Sequence, residues 1–151
     1  RSRAESIFSK YHRVLHKLRP LTTLAANRLK ARGFVKNGKG RHRHLPMKAC
    51  YRALNTVIQS YAADIMKEAV VRTSPVYNSF LKERGVEQVA FVHDEILFIC
   101  PQDYEPDIVT HISSQLLAAG EELTVPLRVS AAVGEENWAD LVEIPKELIY
   151  E

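Results

Sequence analysis

The sequence predicts an α+β fold, in which an antiparallel sheet containing one acidic hairpin packs on amphipathic helices. Three observations predict this fold. Long segments carry apolar residues every three to four positions, as amphipathic helices do. Shorter β-branched runs lie in pairs around turn residues, as in antiparallel hairpins. The 151 residues, 46% of them hydrophobic, are enough to bury one ordinary core.

The first helical segment covers residues 4–30. Its apolar positions follow helical spacing and are Ile7, Tyr11, Val14, Leu15, Leu18, Leu21, Leu24, Ala25 and Leu29. Pro20 is predicted to split the segment into two helices, because proline lacks the amide hydrogen that a helix interior needs. Gly33 is predicted to end the second helix.

A short hairpin is predicted next, with strands over residues 34–36 and 41–45. Asn37 and Gly38 lie between the strands and readily adopt the positive φ angles of a tight turn. Lys39, Arg41 and Arg43 make this hairpin densely basic.

A long helix is predicted from Pro46 to about Thr73. Arg52, Asn55 and Gln59 have the i, i+3, i+7 spacing that places side chains on one side of a helix. This polar stripe lies beside an apolar face formed by Leu54, Val57, Ile58, Tyr61, Ile65, Met66 and Ala69.

The clearest strand pair lies in the second half of the chain. A short helix, predicted to begin at the Ser74-Pro75 cap and to end at Gly85, precedes it. Two apolar runs, 86–92 and 96–100, flank His93-Asp94-Glu95 and predict one antiparallel hairpin with the acids at its tip. Residues 104–119 then predict a helix, and the alternating apolar residues of 127–133 predict a half-buried strand.

Charge is distributed very unevenly along the chain. Residues 1–52 hold 15 of the 21 Lys and Arg residues and one acid, a formal charge of +14. The remaining residues carry a formal charge of −11. A basic block of this kind is typical of contact with a nucleic-acid phosphate backbone, and the alternative is a solvated basic face.

Other classes of protein find little support in the sequence. It contains no apolar run of the roughly 20 residues that a membrane span requires, and it has no signal-peptide core. Cys50 and Cys100 form no zinc-binding or disulfide pattern. These features predict a soluble protein of the cytoplasm.

The acidic tripeptide at the hairpin tip is the strongest candidate for chemistry. Two consecutive carboxylates between apolar strands favour a cationic partner, and Mg²⁺ is commonly held by one or two carboxylates together with substrate phosphates. The alternative is a solvated acidic turn.

Four elements of the sequence resemble family A DNA polymerases. Residues 91–97 (Phe-Val-His-Asp-Glu-Ile-Leu) resemble the motif C hairpin of that family. Residues 52–60 and 62–67 resemble its long palm helix, most closely in the bacteriophage branch. Residues 40–46 resemble the basic segment before that helix, and residues 134–138 resemble a Gly-Asn-Trp element near the C-terminus.

The resemblance implies roles for individual residues. Asp94 would bind catalytic Mg²⁺, Glu95 would be a secondary carboxylate and His93 would lie near the primer terminus. Asn55 and Gln59 would contact the minor groove of the primer-template duplex, where the acceptors of all base pairs lie in similar places. Arg52, Lys39, Arg41 and Arg43 would contact DNA.

The resemblance also implies how the polymerase would be assembled. Residues 1–32 would be the C-terminal helices of the fingers, and residues 33–151 the C-terminal part of the palm. A second metal-binding aspartate and the nucleotide-binding helix of the fingers are absent from the sequence, and the chain begins with Arg1 rather than Met. We therefore expect a separate N-terminal polymerase chain to complete a two-Mg²⁺ site, because a single aspartate cannot position two ions.

The predicted function is template-directed DNA polymerisation, with primer-template DNA and deoxynucleoside triphosphates as partners. The expected location is the cytoplasm of a bacterium or of a phage-infected cell. One alternative is a noncatalytic DNA-binding or scaffolding module derived from a polymerase. Another is a proteolytic piece of a single-chain enzyme.

Several other polar residues are predicted to be structural or solvated. Asp64 is expected to serve the fold, and Trp138 is expected to anchor the core. His12, His16 and His111 are expected to be exposed, since the sequence offers them no ligand-like partners.

Overall fold

The computed structural model describes residues 2–101 and 106–145. The helices are α1 Ser2–Val14, α2 Leu18–Arg32, α3 Ala53–Arg72, α4 Ser79–Glu83 and α5 Pro106–Ala118. The antiparallel strand pairs are β1 Phe34–Lys36 with β2 His42–His44, β3 Glu87–Val92 with β4 Glu95–Ile99, and β5 Ala132–Val133 with β6 Val142–Glu143. This mixture of helices and small antiparallel pairs confirms the predicted α+β class. The first two residues of the predicted helix 104–119 and the end of the predicted palm segment lie outside the described residues.

The chain divides into two compact units, residues 1–64 and 65–151, with the boundary inside α3. The first unit has its own small core, in which the second helix and the first strand pack on the start of α3. Its buried residues are Ala25, Leu29, Val35 and Ala53. Burial of these apolar side chains is the main force that holds the unit together.

The break between α1 and α2 lies upstream of the predicted position. α1 ends at Val14, and Pro20 is the third residue of α2. Proline is tolerated in a first turn, but its ring would clash with the carbonyl four residues earlier if the helix continued through it. The helix is therefore interrupted one turn before Pro20. Gly33 ends α2 as predicted, with a φ of 77° and its amide donating to the Leu29 carbonyl at 2.8 Å.

The turn of the β1–β2 hairpin differs from the prediction. Positive φ occurs at Gly40, at 85°, and not at Asn37 or Gly38. The Gly40 amide donates to the Asn37 carbonyl at 3.1 Å, and the Asn37 amide donates to the Arg41 carbonyl at 3.0 Å. This pattern is a four-residue turn, residues 37–40, whose last residue is the left-handed Gly40, as in the common three-residue hairpin loop.

The long helix begins with a 3₁₀ segment, Met47–Arg52, which leads into α3. The prediction of one helix from Pro46 to about Thr73 is therefore confirmed in outline. Ile65 and Ala69 are buried as expected, whereas Ile58 is 55% exposed and does not belong to the buried face. The apolar residues predicted for α1, including Ile7 and Val14, are also largely exposed.

The second unit is built on a core beneath α4 and α5, formed by Leu81, Val86 and Ile108. Asn78, and not Ser74, caps α4, because its side-chain oxygen accepts from the Leu81 amide at 3.3 Å. Gly85 follows the helix with a φ of 64°, as predicted.

The β3–β4 hairpin has the predicted antiparallel pairing. Its register runs from Glu87 opposite Ile99 to Val92 opposite Glu95, with a bulge at Val89. Glu95 is therefore the first residue of β4, and the turn itself consists of His93 and Asp94.

The last predicted strand is only partly formed. Residues 127–133 alternate between half-buried and exposed positions, as expected, but pairing within the described residues is confined to β5 and β6. Among the described helices, none is both long and apolar enough to cross a lipid bilayer.

Candidate functional site

The predicted site residues fall into two groups. His93, Asp94 and Glu95 belong to the second unit, whereas all six predicted DNA-binding residues belong to the first.

The tip of the β3–β4 hairpin presents its carboxylates to solvent. His93 and Asp94 form a two-residue turn, and Glu95 pairs with Val92 across it. His93 has a φ of 55°, which is uncommon for a residue other than glycine, although histidine is one of the more tolerant residues. All three side chains are exposed, and none makes a hydrogen bond or ion pair with another described residue. The tip thus offers two carboxylates with unused acceptor capacity.

The donor set of the tip suits part of a metal site. Adjacent carboxylates are hard oxygen ligands, which Mg²⁺ prefers, and one or two of them per ion is the usual number beside substrate phosphates. Within the described ranges 2–101 and 106–145, however, no three His, Cys, Asp or Glu side chains are grouped so that they could hold a metal ion. Asp94 and Glu95 therefore fit the contribution of one strand and do not form a complete two-ion site.

The polar stripe on the long helix is exposed, as predicted. Asn55 and Gln59 lie one turn apart on α3, and their amides have no partner among the described residues. Arg52 ends the 3₁₀ segment, and its Nε donates to the Tyr51 hydroxyl at 2.9 Å. The stripe therefore presents two unengaged amides and one arginine already in contact with its neighbour.

The basic hairpin holds one arginine in a defined arrangement. The Arg41 Nε donates to both carboxylate oxygens of Asp64, at 2.8 and 2.9 Å. Asn37 donates its side-chain amide to the same carboxylate at 2.7 Å and accepts from the Arg41 backbone amide at 2.9 Å. The hydrogen bond and the negative charge of Asp64 raise the pKa of Arg41 above its ordinary value. Asp64 is buried, in agreement with its predicted structural role.

A close approach of α3 fixes the turn of this hairpin further. A Cβ atom on Gly38 would lie 2.7 Å from the Cζ of Tyr61, so only glycine fits against that ring without rearrangement. Sequence reasoning did not detect this contact or the Arg41–Asp64 pair. The signal available was that Asp64 is the first acid after Glu5.

The other basic residues of the hairpin are exposed. Arg43, on β2, makes no hydrogen bond or ion pair with another described residue. His42 stacks on Phe34, with ring centroids 4.2 Å apart. Lys39 is also exposed.

Two predicted surface residues are part of the packing instead. His111 stacks on Phe80 at 4.2 Å, and its Nε2 lies 3.0 Å from the Asn78 amide. Burial and the nearby Arg84 lower the pKa of His111, against a smaller opposing effect of Asp107. His12 is half-buried and meets the edges of the Phe8 and Tyr11 rings, whereas His16 is exposed as expected.

Trp138 does not anchor the core of the described structure. It begins a 3₁₀ turn capped by Asn137 and is 53% exposed. Asn137 accepts from the Ala139 amide at 2.8 Å and also donates to Asp140. These local hydrogen bonds satisfy the turn without burying the indole.

The sequence profile of DNA polymerase family A matches residues 1–140. The chain belongs to DNA polymerase family A. Two curated relatives are each 28% identical to this chain over 93% of its length. They are DNA polymerase theta of Drosophila melanogaster and thermostable DNA polymerase I of Thermus aquaticus. DNA polymerase I of Treponema pallidum is 30% identical over 91% of the chain.

The chain corresponds to a small share of these polymerases. It covers 8% of the Drosophila protein, 17% of the Thermus protein and 14% of the Treponema protein. Its structure resembles the POL domain of Pol1 from M. smegmatis, solved in complex with DNA primer-template and dNTP. The match has a TM-score of 0.72 at 25% identity and covers 84% of this chain and 24% of that one.

Proposed function

We propose that this chain contributes the C-terminal palm and the end of the fingers to a template-directed DNA polymerase. The observation that carries the proposal is the β3–β4 hairpin, whose tip presents the unpartnered carboxylates of Asp94 and Glu95. Membership of family A supports this reading of an exposed acidic turn. Residues 1–32 would belong to the fingers and residues 33–151 to the palm.

Asp94 would hold the catalytic Mg²⁺, and Glu95 would serve as the secondary carboxylate. When bound, the ion supplies charge stabilisation at the phosphates of the incoming nucleotide. Asp94 lies in a turn fixed by two paired strands. Its carboxylate accepts no hydrogen bond from another described residue, so it is available to a metal ion. His93, adjacent to it, would face the primer terminus.

The first unit would bind the primer-template duplex. Asn55 and Gln59 expose amides that can contact minor-groove acceptors of any base pair. Lys39, Arg41, Arg43 and Arg52 lie in a region of the sequence with a formal charge of +14, which suits contact with phosphates. The matched Pol1 domain was solved with primer-template and dNTP, which supports the same partners here.

The rest of the active site would come from polypeptide outside these residues. The sequence contains no second acidic strand motif and no nucleotide-binding fingers helix. In the most specific form of the proposal, a separate N-terminal polymerase chain supplies both. The similarity of the long helix to the bacteriophage branch would then place the enzyme in a bacterium or in a phage-infected cell.

Primer extension by the complete native enzyme tests the role of Asp94. We expect Asp94→Asn to lower the extension rate by roughly a thousandfold or more, because a metal-ligating charge is lost at the reacting phosphate. DNA affinity should change by less than about threefold, since Asp94 makes no fold-stabilising contact within the described structure. Glu87→Gln, which removes an exposed acid at the other end of the same hairpin, is the matched control and should leave the rate unchanged. Equal losses of extension and DNA binding in Asp94→Asn would contradict the proposal.

The proposed division into two chains has its own test. Intact-mass measurement of the native sample should detect this chain and a second one that carries an acidic strand motif. Mixing the two purified chains should restore primer extension that neither shows alone. Robust extension by this chain alone would refute the division, and DNA binding without extension in any mixture would favour the noncatalytic alternative.

A further inference from the structure

We propose that Asp64 is a positioning residue, which holds the guanidinium of Arg41 in place to receive a phosphate of the DNA backbone. This inference rests on the proposed function, because it assumes that the basic hairpin contacts DNA. It assigns a functional role to a buried acid that sequence reasoning considered only structural.

The geometry of the pair leaves most of the arginine available. Of the three guanidinium nitrogens of Arg41, only Nε donates to Asp64, and it reaches both carboxylate oxygens, at 2.8 and 2.9 Å. The two terminal nitrogens of Arg41 carry four further N–H donors, and they have no partner within the described part of the chain. The Asp64 side chain is 7% exposed, whereas the Arg41 side chain is 50% exposed. One edge of the guanidinium is thus held from inside, and the other edge faces solvent.

A held guanidinium suits phosphate binding. Arginine contacts phosphate through a planar fork of N–H groups, and such contacts are strongest when two donors meet two oxygens. A free arginine loses side-chain entropy when it adopts that geometry. Asp64 has already restricted the Arg41 side chain, so less entropy remains to be lost when DNA binds.

The position of Asp64 in the sequence supports a role in DNA binding. Residues 6–63 contain no Asp or Glu, so Asp64 is the first acid that follows a long basic segment. An acid within a DNA-binding surface normally weakens binding, because it repels phosphates. This one is buried and in contact with Arg41, which limits the repulsion while retaining the orienting contact.

The fold alone does not require the arginine side chain. Asn37 already donates its amide to Asp64 at 2.7 Å and holds the Arg41 backbone at 2.9 Å, so these contacts fix the turn. Gly38, in the same turn, lies against the ring of Tyr61 on α3. The Arg41–Asp64 contact adds the direction of the guanidinium to a turn that is already defined.

The test depends on whether Asp64→Asn strengthens or weakens DNA binding. Asp64→Asn makes the protein more positive, so electrostatics alone predicts tighter DNA binding. Positioning predicts the reverse: we expect the affinity of the complete native protein for primer-template to fall by roughly threefold to tenfold, the size of one weakened charge-assisted hydrogen bond. Glu68→Gln, four residues further along α3, removes the same charge without touching Arg41 and should not weaken binding. Unchanged or tighter binding by Asp64→Asn would overturn the proposal.

A double-mutant cycle separates positioning from a general loss of structure. Asp64→Asn should weaken binding in the native background and should have no such effect in an Arg41→Ala background. Equal weakening in both backgrounds would show that Asp64 acts through the fold alone and would overturn the proposal. The cycle also distinguishes failure of the positioning role from failure of the proposed DNA surface. If Arg41→Ala and Arg43→Ala both weaken binding but Asp64→Asn does not, the DNA surface is correct and the positioning is wrong. If neither arginine substitution weakens DNA binding, the proposed DNA surface and the positioning role are both wrong.

Arg41→Lys provides a second test that does not disturb Asp64. A lysine at this position keeps the charge but lacks the planar fork of donors, so one ammonium nitrogen would have to reach both Asp64 and the phosphate. We expect the salt dependence of DNA binding to lose about one phosphate contact, as in Arg41→Ala. Native affinity and salt dependence in the lysine variant would overturn the proposal. Measurements without nucleotide assign the phosphate to DNA, and an effect confined to the KM for the nucleotide would overturn that assignment.

Discussion

The two best-defined hairpins of the chain hold their charged residues in opposite ways. In β1–β2, a basic turn is fixed by Asn37, by glycine packing against Tyr61 and by the buried carboxylate of Asp64. In β3–β4, an acidic turn is fixed only by strand pairing, and Asp94 and Glu95 have no partner among the described residues. The basic turn is therefore organised by contacts within this chain, whereas the acidic turn leaves its carboxylates available to a ligand from outside the described residues.

The largest expected difference between the hairpins is in how their charged residues affect the salt dependence of DNA binding. DNA binding by the complete native protein should weaken by roughly a thousandfold between about 50 and about 200 mM salt if six or more phosphates are neutralised. Arg43→Ala should reduce the slope of log affinity against log salt by about one contact, whereas Glu95→Gln should leave the slope unchanged. Filter-binding titrations over a series of salt concentrations provide the measurement. A flat salt response would remove the electrostatic distinction between the hairpins.

The positive φ angles of the two turns offer a smaller test of local stability. Gly40→Ala should destabilise β1–β2 by about 1 kcal/mol, because an alanine is strained at a φ of 85°. His93→Gly should stabilise β3–β4 by roughly 0.5 kcal/mol, since relief of strain is partly offset by the entropy of glycine. Hydrogen exchange of the strand amides reports both, and each hairpin is the control for the other. Destabilisation by His93→Gly would show that the turn is not strained.

The smallest expected effect is a pH dependence confined to the second unit. The pKa of His111 is lowered from its ordinary value of 6.5, so the unfolded chain binds a proton there more readily than the folded protein. The contribution of His111 to stability should therefore be complete above about pH 6.5 and should decline as the pH falls below it. Thermal unfolding of the native protein and of His111→Gln between about pH 5 and pH 8 measures the difference. A stability difference that grows in favour of the native protein at low pH would contradict the packing described for His111.

Local signals in the sequence were sufficient for much of the fold. Helical periodicity located the long helix, and Gly33 and Gly85 marked chain reversals because few other residues tolerate positive φ. The acidic hairpin was equally local, since its strands and turn are contiguous. The exposed positions of Asn55 and Gln59 followed from spacing alone.

The predictions that were wrong, and the Arg41–Asp64 pair that no prediction included, depended on features that spacing does not reveal. Positive φ occurs at Gly40 and not at Gly38, and a Cβ atom on Gly38 would meet the ring of Tyr61, more than 20 residues further along the chain. Arg41 and Asp64 are 23 residues apart in the sequence, and His111 meets Asn78 across 33 residues. Long-range packing therefore determines how the basic turn is held, and composition predicted only its charge.

Manganese binding tests most directly whether Asp94 provides a metal ligand. Mn²⁺ favours carboxylate oxygens as Mg²⁺ does, and electron paramagnetic resonance can count the ions bound to the complete native enzyme with primer-template and nucleotide. We expect Asp94→Asn to lose at least one bound ion or to weaken its affinity by roughly tenfold or more, while Glu87→Gln retains the native number. The same number of ions at unchanged affinity in Asp94→Asn would show that Asp94 is not a metal ligand.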